Sequence, residues 1–117
     1  MDYKASINER ISEEIKDMGF NFNHLGTMYL IETIEIIYNS KDSNYLRSIE
    51  KTVYKILAEK HLKNASTIKS NIIKATNYMY EQNLKKKKDG RLVFDYDIYD
   101  KMTPKAIVNS VLLKLEA

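Results

Sequence analysis

The stretch NASTIKSNIIKATNYMYEQ, residues 64–82, has the clearest periodic pattern in the chain. Its apolar positions recur at steps of three and four residues, at Ala65, Ile68, Ile72, Ala75 and Met79. This spacing predicts a helix with one buried side. The opposite side is polar but only weakly charged. It is therefore either the solvated side of a core helix or a surface that reads a partner.

The segments before this stretch also favour helices. The whole chain contains one proline and three glycines, so few breaks are obligatory. Ser6 followed by Glu9 has the form of a capping box and predicts a helix over residues 6–18. A second helix is predicted over residues 24–39. Residues 44–62 also have helical spacing, which leaves open either one long helix or a break near the middle of this segment.

The segments after this stretch are more varied. Four consecutive lysines, followed by Asp89 and Gly90, predict a basic loop with a turn. Residues 92–99 alternate imperfectly, and a short strand, a hairpin arm and irregular structure all remain open. Thr103 as N-cap and Pro104 as first residue predict a last helix over residues 104–115. The predicted fold is all-α, a single domain over residues 1–117 formed by a compact bundle of about six helices.

Composition excludes several classes of function. The chain of 117 residues has no cysteine, which excludes disulfides and zinc–thiolate sites. Its two histidines, His24 and His61, are far apart in sequence, so we expect neither a metal site nor a cofactor. No nucleophile, base and orienting group can be assembled from the sequence, so we do not expect an enzyme. The N-terminus lacks a signal peptide, and no apolar run approaches the roughly 18 residues of a membrane span, which predicts a cytoplasmic protein without membrane contact.

The formal net charge of +3 is distributed unevenly along the chain. Residues 60–88 contain eight lysines and one acid, for a net charge of +7. Residues 1–59 carry −3 and residues 89–117 carry −1. A concentration of positive charge on one element is typical of proteins that bind nucleic acids. Lysine-rich segments that only increase solubility are the alternative explanation.

Residues 53–82 have the layout of a helix-turn-helix. Ala58 is small enough to allow two helices to approach closely, and Ser66 or Asn64 would cap the second helix. Such a helix lies in the major groove of double-stranded DNA. Its outward side chains would read the bases, and we assign this role to Thr67, Ser70, Asn71, Ile73 and Lys74. Contacts with the DNA backbone are expected from Lys60, Lys63, Ser66, Lys69, Tyr78, Lys85, Lys86, Lys87 and Lys88.

Several longer stretches resemble the C-terminal effector domain of the stage-zero sporulation response regulator. The stretches are MGF at 18–20, LGTMYLIETIEIIYN at 25–39, LRSIEKTVY at 46–54, NASTIKSNIIKATNYMYEQN at 64–83 and VNSVLLKLEA at 108–117. The resemblance implies an all-helical domain of about six helices around a helix-turn-helix. It also implies binding to a short promoter element as head-to-tail pairs. Contacts with RNA polymerase sigma subunits would then activate or repress transcription.

The second helix of the motif departs from this family. Where the family has arginines and a glutamate that read the site, this chain has Thr67, Lys69, Ser70 and Ile73, and Lys74 replaces a histidine. Arginine is the usual bidentate reader of guanine, and this helix has none. Asn71 pairing with adenine and Ile73 packing on thymine methyl groups would favour an AT-rich target. The alternative function is a protein-interaction module that keeps the fold and antagonises a sporulation regulator or a sigma subunit without specific DNA binding.

Overall fold

The computed structural model describes residues 6–40, 42–88 and 102–116, and these residues form an all-α bundle. Within these ranges there is no β-strand. The expected bundle of about six helices is confirmed. The possible strand at residues 92–99 and the turn at Asp89 and Gly90 lie outside the described residues. The six helices are α1 (Ile7–Met18), α2 (Leu25–Ser40), α3 (Ser43–Arg47), α4 (Val53–His61), α5 (Ala65–Lys88) and α6 (Pro104–Glu116).

α2 and α5 form the centre of the bundle. They make the most extensive contact between any two helices, and α1, α4 and α6 pack around α2. On α5 the buried side is the stripe that the sequence pattern predicts. Ala65 packs partly buried at its start, and the fully or almost fully buried residues are Ile68, Ile72, Ala75 and Met79. The polar side of α5 therefore faces away from the core.

The ends of α1 and α6 follow local sequence signals. The Ser6 hydroxyl oxygen accepts a hydrogen bond from the Glu9 N–H at 3.1 Å and caps α1. Gly19, at φ 99°, ends this helix in the left-handed conformation that favours glycine. The Thr103 hydroxyl oxygen accepts from the Ala106 N–H at 3.2 Å and caps α6, with Pro104 as its first residue. These predicted boundaries are confirmed.

The open alternative of one long helix over residues 44–62 was wrong. α3 ends at Arg47 and α4 begins at Val53, with turns between them. Ser48 has φ −127° and ψ 55°, which is outside the helical region, and Ile49 is buried after it with 6% of its surface exposed. The break between α3 and α4 therefore lies directly beside a residue of the core.

The predicted basic loop at the four lysines was also wrong, because α5 continues to Lys88. Lysine is a good helix former, so the run does not stop the helix. Beyond Gln82, the buried Asn83 fixes the helix to the rest of the bundle. Its Nδ2 donates to the carbonyl oxygen of Met18 at 2.7 Å and to that of Met79 at 3.0 Å. No helix in the described ranges is both long and apolar enough to span a membrane.

Candidate nucleic-acid interface

A three-residue turn joins α4 to α5. Leu62 ends α4 in the left-handed conformation, at φ 55°, and it is 91% exposed. The N–H of Lys63 donates to the carbonyl oxygen of Ala58 at 2.9 Å, which closes the turn. Glycine usually occupies the position that Leu62 has here. The turn is therefore fixed by backbone hydrogen bonds rather than by burial of the Leu62 side chain.

Asn64 caps α5 and organises its first turn. Its Oδ1 accepts three hydrogen bonds, from the Thr67 N–H at 2.9 Å, the Thr67 hydroxyl at 2.7 Å and the Ser66 hydroxyl at 2.8 Å. Of the two caps that the sequence left open, the structure selects Asn64. Because both hydroxyl protons point towards Asn64, the oxygens of Ser66 and Thr67 are left as hydrogen-bond acceptors.

The outward face of α5 contains Thr67, Ser70 and Lys74, which are spaced by three and four residues and share one side of the helix. Ser70 and Lys74 are exposed, and Thr67 is half-buried. Lys74 makes no ion pair with any described residue. This face therefore presents a free cation and two hydroxyl groups beside one another.

Asn71 and Ile73 lie on opposite edges of this outward face. Asn71 is half-buried, and its Nδ2 donates to the carbonyl oxygen of Thr67 at 2.8 Å. Ile73 is 37% exposed and lines a depression with Thr103 and Pro104 at the start of α6. Asn71 therefore keeps its second Nδ2 hydrogen and its Oδ1 for a base edge while it is held against its own helix, and Ile73 is directly accessible.

The lysines around this face differ in whether they form an ion pair with an acidic side chain. Lys69 Nζ lies 2.7 Å from Glu50 Oε1, and Lys60 Nζ lies 3.4 Å from Glu32 Oε1. Both lysines are well exposed, so these pairs are weak. Lys63 is exposed and makes no ion pair within the described ranges.

Further along α5, Lys85 is exposed and Lys86 is half-buried. Lys87 and Lys88 belong to the helix, but their side chains lie outside the described part of the structure. Tyr78 is half-buried, and its ring packs edge-to-face with the His24 ring, with 4.8 Å between the ring centroids. The position of Tyr78 is therefore fixed by the segment that precedes α2.

His61 at the end of α4 belongs to a small polar cluster rather than to a metal centre. Its Nε2 lies 2.8 Å from Glu32 Oε2, and the centroid of its ring lies 5.0 Å from the centroid of the Tyr29 ring. Among the described residues, no group of three or more His, Asp or Glu side chains could hold a metal ion. The pairing of Glu50 with Lys69 was not predicted, because no local pattern connects residues that are distant in sequence.

The all-α bundle, the turn between α4 and α5 and the polar outward face of α5 are features of helical DNA-binding regulatory domains. A family model described as "sporulation initiation factor Spo0A C terminal" matches residues 11–115. The chain belongs to this family, and the resemblance found in the sequence is confirmed. The family comprises DNA-binding domains that regulate transcription in sporulation and are not enzymes. No curated protein sequence matches the chain.

Proposed function

We propose that this chain is a sequence-specific DNA-binding transcription regulator in which α4 and α5 act as a helix-turn-helix. The observation that carries this proposal is the first half of α5. Asn64 fixes the N-terminal turn, and Ser70 and Lys74 project from it without partners in the described structure. In helix-turn-helix proteins this end of the second helix contacts the base edges in the major groove.

The side chains of the outward face have complementary chemistry for reading bases. Lys74 donates to guanine O6 and N7, and the Ser70 hydroxyl both donates and accepts. The Thr67 hydroxyl oxygen accepts a hydrogen bond from an exocyclic amino group, since its proton is held by Asn64. At the edges of the face, Asn71 pairs with adenine through its Oδ1 and its second Nδ2 hydrogen, and Ile73 packs on thymine methyl groups.

The remaining residues of the interface contact the DNA backbone. Such contacts set affinity and orientation, but they carry no direct sequence information. Each neutralised phosphate releases counterions, so binding is expected to weaken steeply as salt increases. We assign this role to Lys60, Lys63, Ser66, Lys69, Tyr78, Lys85, Lys86, Lys87 and Lys88.

Membership of the family supports two further parts of the proposal. On DNA, two copies of the chain would bind as a head-to-tail pair. A sigma subunit of RNA polymerase would be the protein partner through which transcription is activated or repressed. Because the chromosome is the target, we place this function in the cytoplasm.

The proposal is tested by selecting duplexes from a random-sequence pool at about physiological salt. The enriched site is then titrated with the wild type and with Lys74→Ala and Asn71→Ala. We expect each variant to lose about 1–3 kcal/mol of discrimination at one base position. Lys55→Ala, which removes an exposed lysine from α4, is the control and is expected to keep the sequence preference. If no motif is enriched, sequence-specific binding by this chain is refuted.

Exposed apolar side chains favour a second candidate, the protein-interaction module. Phe22, Leu25 and Met28 are 45%, 49% and 55% exposed, near the start of α2. Apolar groups grouped on a surface often mark contacts with another protein. In this case the chain would pair with a sporulation regulator or a sigma subunit and antagonise it. Leu25→Ser together with Met28→Ser would then abolish co-purification with that partner, whereas DNA selection would enrich no motif.

A further inference from the structure

A cavity of about 410 Å³ lies beside α5, on the flank next to the proposed reading face. It opens to the surface and is lined by the end of α3, the turn between α3 and α4, α4, α5 and the start of α6. This volume is within the range of about 300–1,000 Å³ that is usual for small-molecule sites. The function proposed above uses two of its lining residues, Lys69 and Ile73, but it assigns no ligand to the cavity.

Part of the cavity wall is formed by apolar side chains. Ile49 and Tyr54 are buried with 6% and 4% of their surfaces exposed, and Ile73 of α5 and Pro104 of α6 line the same space. Nonpolar side chains from separate elements thus face a common space. An occupant with a flat or short apolar body would remove this surface from water.

Tyr54 is the unusual residue of this lining. Tyr54 is 4% exposed, and its hydroxyl makes no hydrogen bond within the described part of the chain. Buried polar groups are normally paired, because an unpaired one has lost its bonds to water. Burial, and secondarily the nearby Glu50 carboxylate, raise the pKa of Tyr54 to about 12. The group therefore remains a protonated hydrogen-bond donor at neutral pH.

The rim of the cavity is positively charged. Four basic side chains and one acidic side chain line it, for a net charge of +3. The acid, Glu50, is paired with Lys69 at 2.7 Å. The other three cations are Arg47, Lys51 and Lys105. They are exposed and have no acidic partner among the described residues. The rim therefore favours an anionic group, not a cation or a neutral polar group.

We propose that this cavity is a binding site for a small amphipathic carboxylate, with an aromatic or short aliphatic body. The apolar body packs between Tyr54 and Ile73, and an oxygen of the ligand accepts a hydrogen bond from the Tyr54 hydroxyl. The carboxylate pairs with the cations of the rim. Because Lys69 and Ile73 belong to α5, the occupied cavity places a negative charge beside the proposed DNA interface. Binding in the absence of DNA does not depend on the function proposed above.

The test uses the whole ¹⁵N-labelled chain without DNA and two probes, 2-naphthoate and the uncharged 2-naphthamide. We expect 2-naphthoate to shift the amide signals of residues 47–54 and 69–73, and those of Thr103 and Lys105, selectively. We also expect it to bind about fivefold or more tightly than 2-naphthamide. If the shifts are scattered over the bundle, or if the two probes bind equally, the proposed site is refuted. If no amide signal shifts at a millimolar concentration of 2-naphthoate, the proposed site is also refuted.

Two substitutions test the Tyr54 hydroxyl and the positively charged rim separately. Tyr54→Phe removes only the hydroxyl and is expected to weaken 2-naphthoate about fivefold. Tyr38→Phe, the same change at a half-buried residue outside the cavity, is the control and is expected to have no effect. Lys105→Gln is expected to weaken 2-naphthoate but not 2-naphthamide. Amide spectra of the free variants show whether each one keeps the fold, and unchanged affinity in both folded variants would overturn the proposal.

Discussion

Gly26 on α2 touches the backbone of Asn71 on α5. A Cβ atom built on Gly26 would lie 1.9 Å from the carbonyl oxygen of Asn71 and 2.9 Å from the N–H nitrogen of Ile72. Neither backbone atom can move aside without moving its helix. The absence of a side chain at one residue of α2 therefore sets the distance between the two central helices. It also sets the position of the proposed reading face.

Gly26→Ala is expected to destabilise the protein by about 3 kcal/mol, which is typical of severe overpacking in a core. Helix propensity alone predicts the opposite sign, because alanine is favoured over glycine in a helix by about 1 kcal/mol. The free energy of unfolding, measured by urea titration, decides between the two. Asn39→Ala, at an exposed position of the same helix, is the control and should change stability by less than about 0.5 kcal/mol. A more stable Gly26→Ala variant would show that the helices are not in contact there.

Asn64 is expected to affect stability and DNA binding through different properties. Asn64→Ala removes the cap of α5 and should cost about 1 kcal/mol of unfolding free energy. Asn64→Asp keeps the acceptor oxygen and should preserve stability, but its charge should repel phosphate and weaken DNA binding. Thermal unfolding and DNA titration of both variants separate the two effects. Asn109→Asp, an exposed change on α6, is the control. Equal DNA affinity of Asn64→Asp and the wild type would place the start of α5 away from the DNA.

Glu50 is expected to reduce DNA binding by holding Lys69. Glu50→Gln breaks the 2.7 Å ion pair and frees the lysine for a phosphate. We expect affinity to increase about threefold at moderate salt, and the plot of log affinity against log salt to become steeper by up to about one unit. Glu13→Gln removes an equal charge from an exposed position on α1 and controls for net charge. If both variants change the slope equally, Lys69 makes no direct contact with DNA.

Tyr54 is expected to make stability depend on pH in alkaline solution. Its pKa is about 12 in the folded protein, against 10.0 without the burial. Below pH 10 both states hold the proton, and the full stability is present. Between about pH 10 and 12 only the unfolded state loses the proton, so stability falls by about 2–3 kcal/mol across this window. Urea titrations at pH 9 and pH 11.5 should show a smaller loss for Tyr54→Phe than for the wild type, and an equal loss would contradict the assignment.

The local features of the fold could be predicted from the sequence. The buried stripe of α5 follows from apolar residues at helical spacing, and the caps at Ser6 and Thr103 depend on residues three positions away. The prediction of a loop at the four lysines was wrong. The contact that holds this part of α5 on the bundle comes from a residue that is remote in sequence. Asn83 bonds to the Met18 carbonyl across 65 positions of sequence and holds the helix beyond Gln82.

The candidate site was predictable to a similar degree. Helical spacing groups Thr67, Ser70 and Lys74 on one side of α5, and this arrangement is observed. Spacing does not show that Asn71 bonds to its own helix or that Lys69 pairs with Glu50. Both depend on side-chain positions that neighbouring elements determine. Tertiary contacts therefore determine how available each predicted side chain is for a contact with DNA.

The length of α5 limits how it can lie on a duplex. With 24 residues it measures about 36 Å, three times the width of about 12 Å of the major groove. Lys85 follows Thr67 by five full turns, so the two residues face the same direction about 27 Å apart. In the proposed complex the first turns of α5 therefore occupy the groove, while Lys85 extends past its edge. A binding site defined by base contacts would be shorter than the footprint protected from nuclease cleavage.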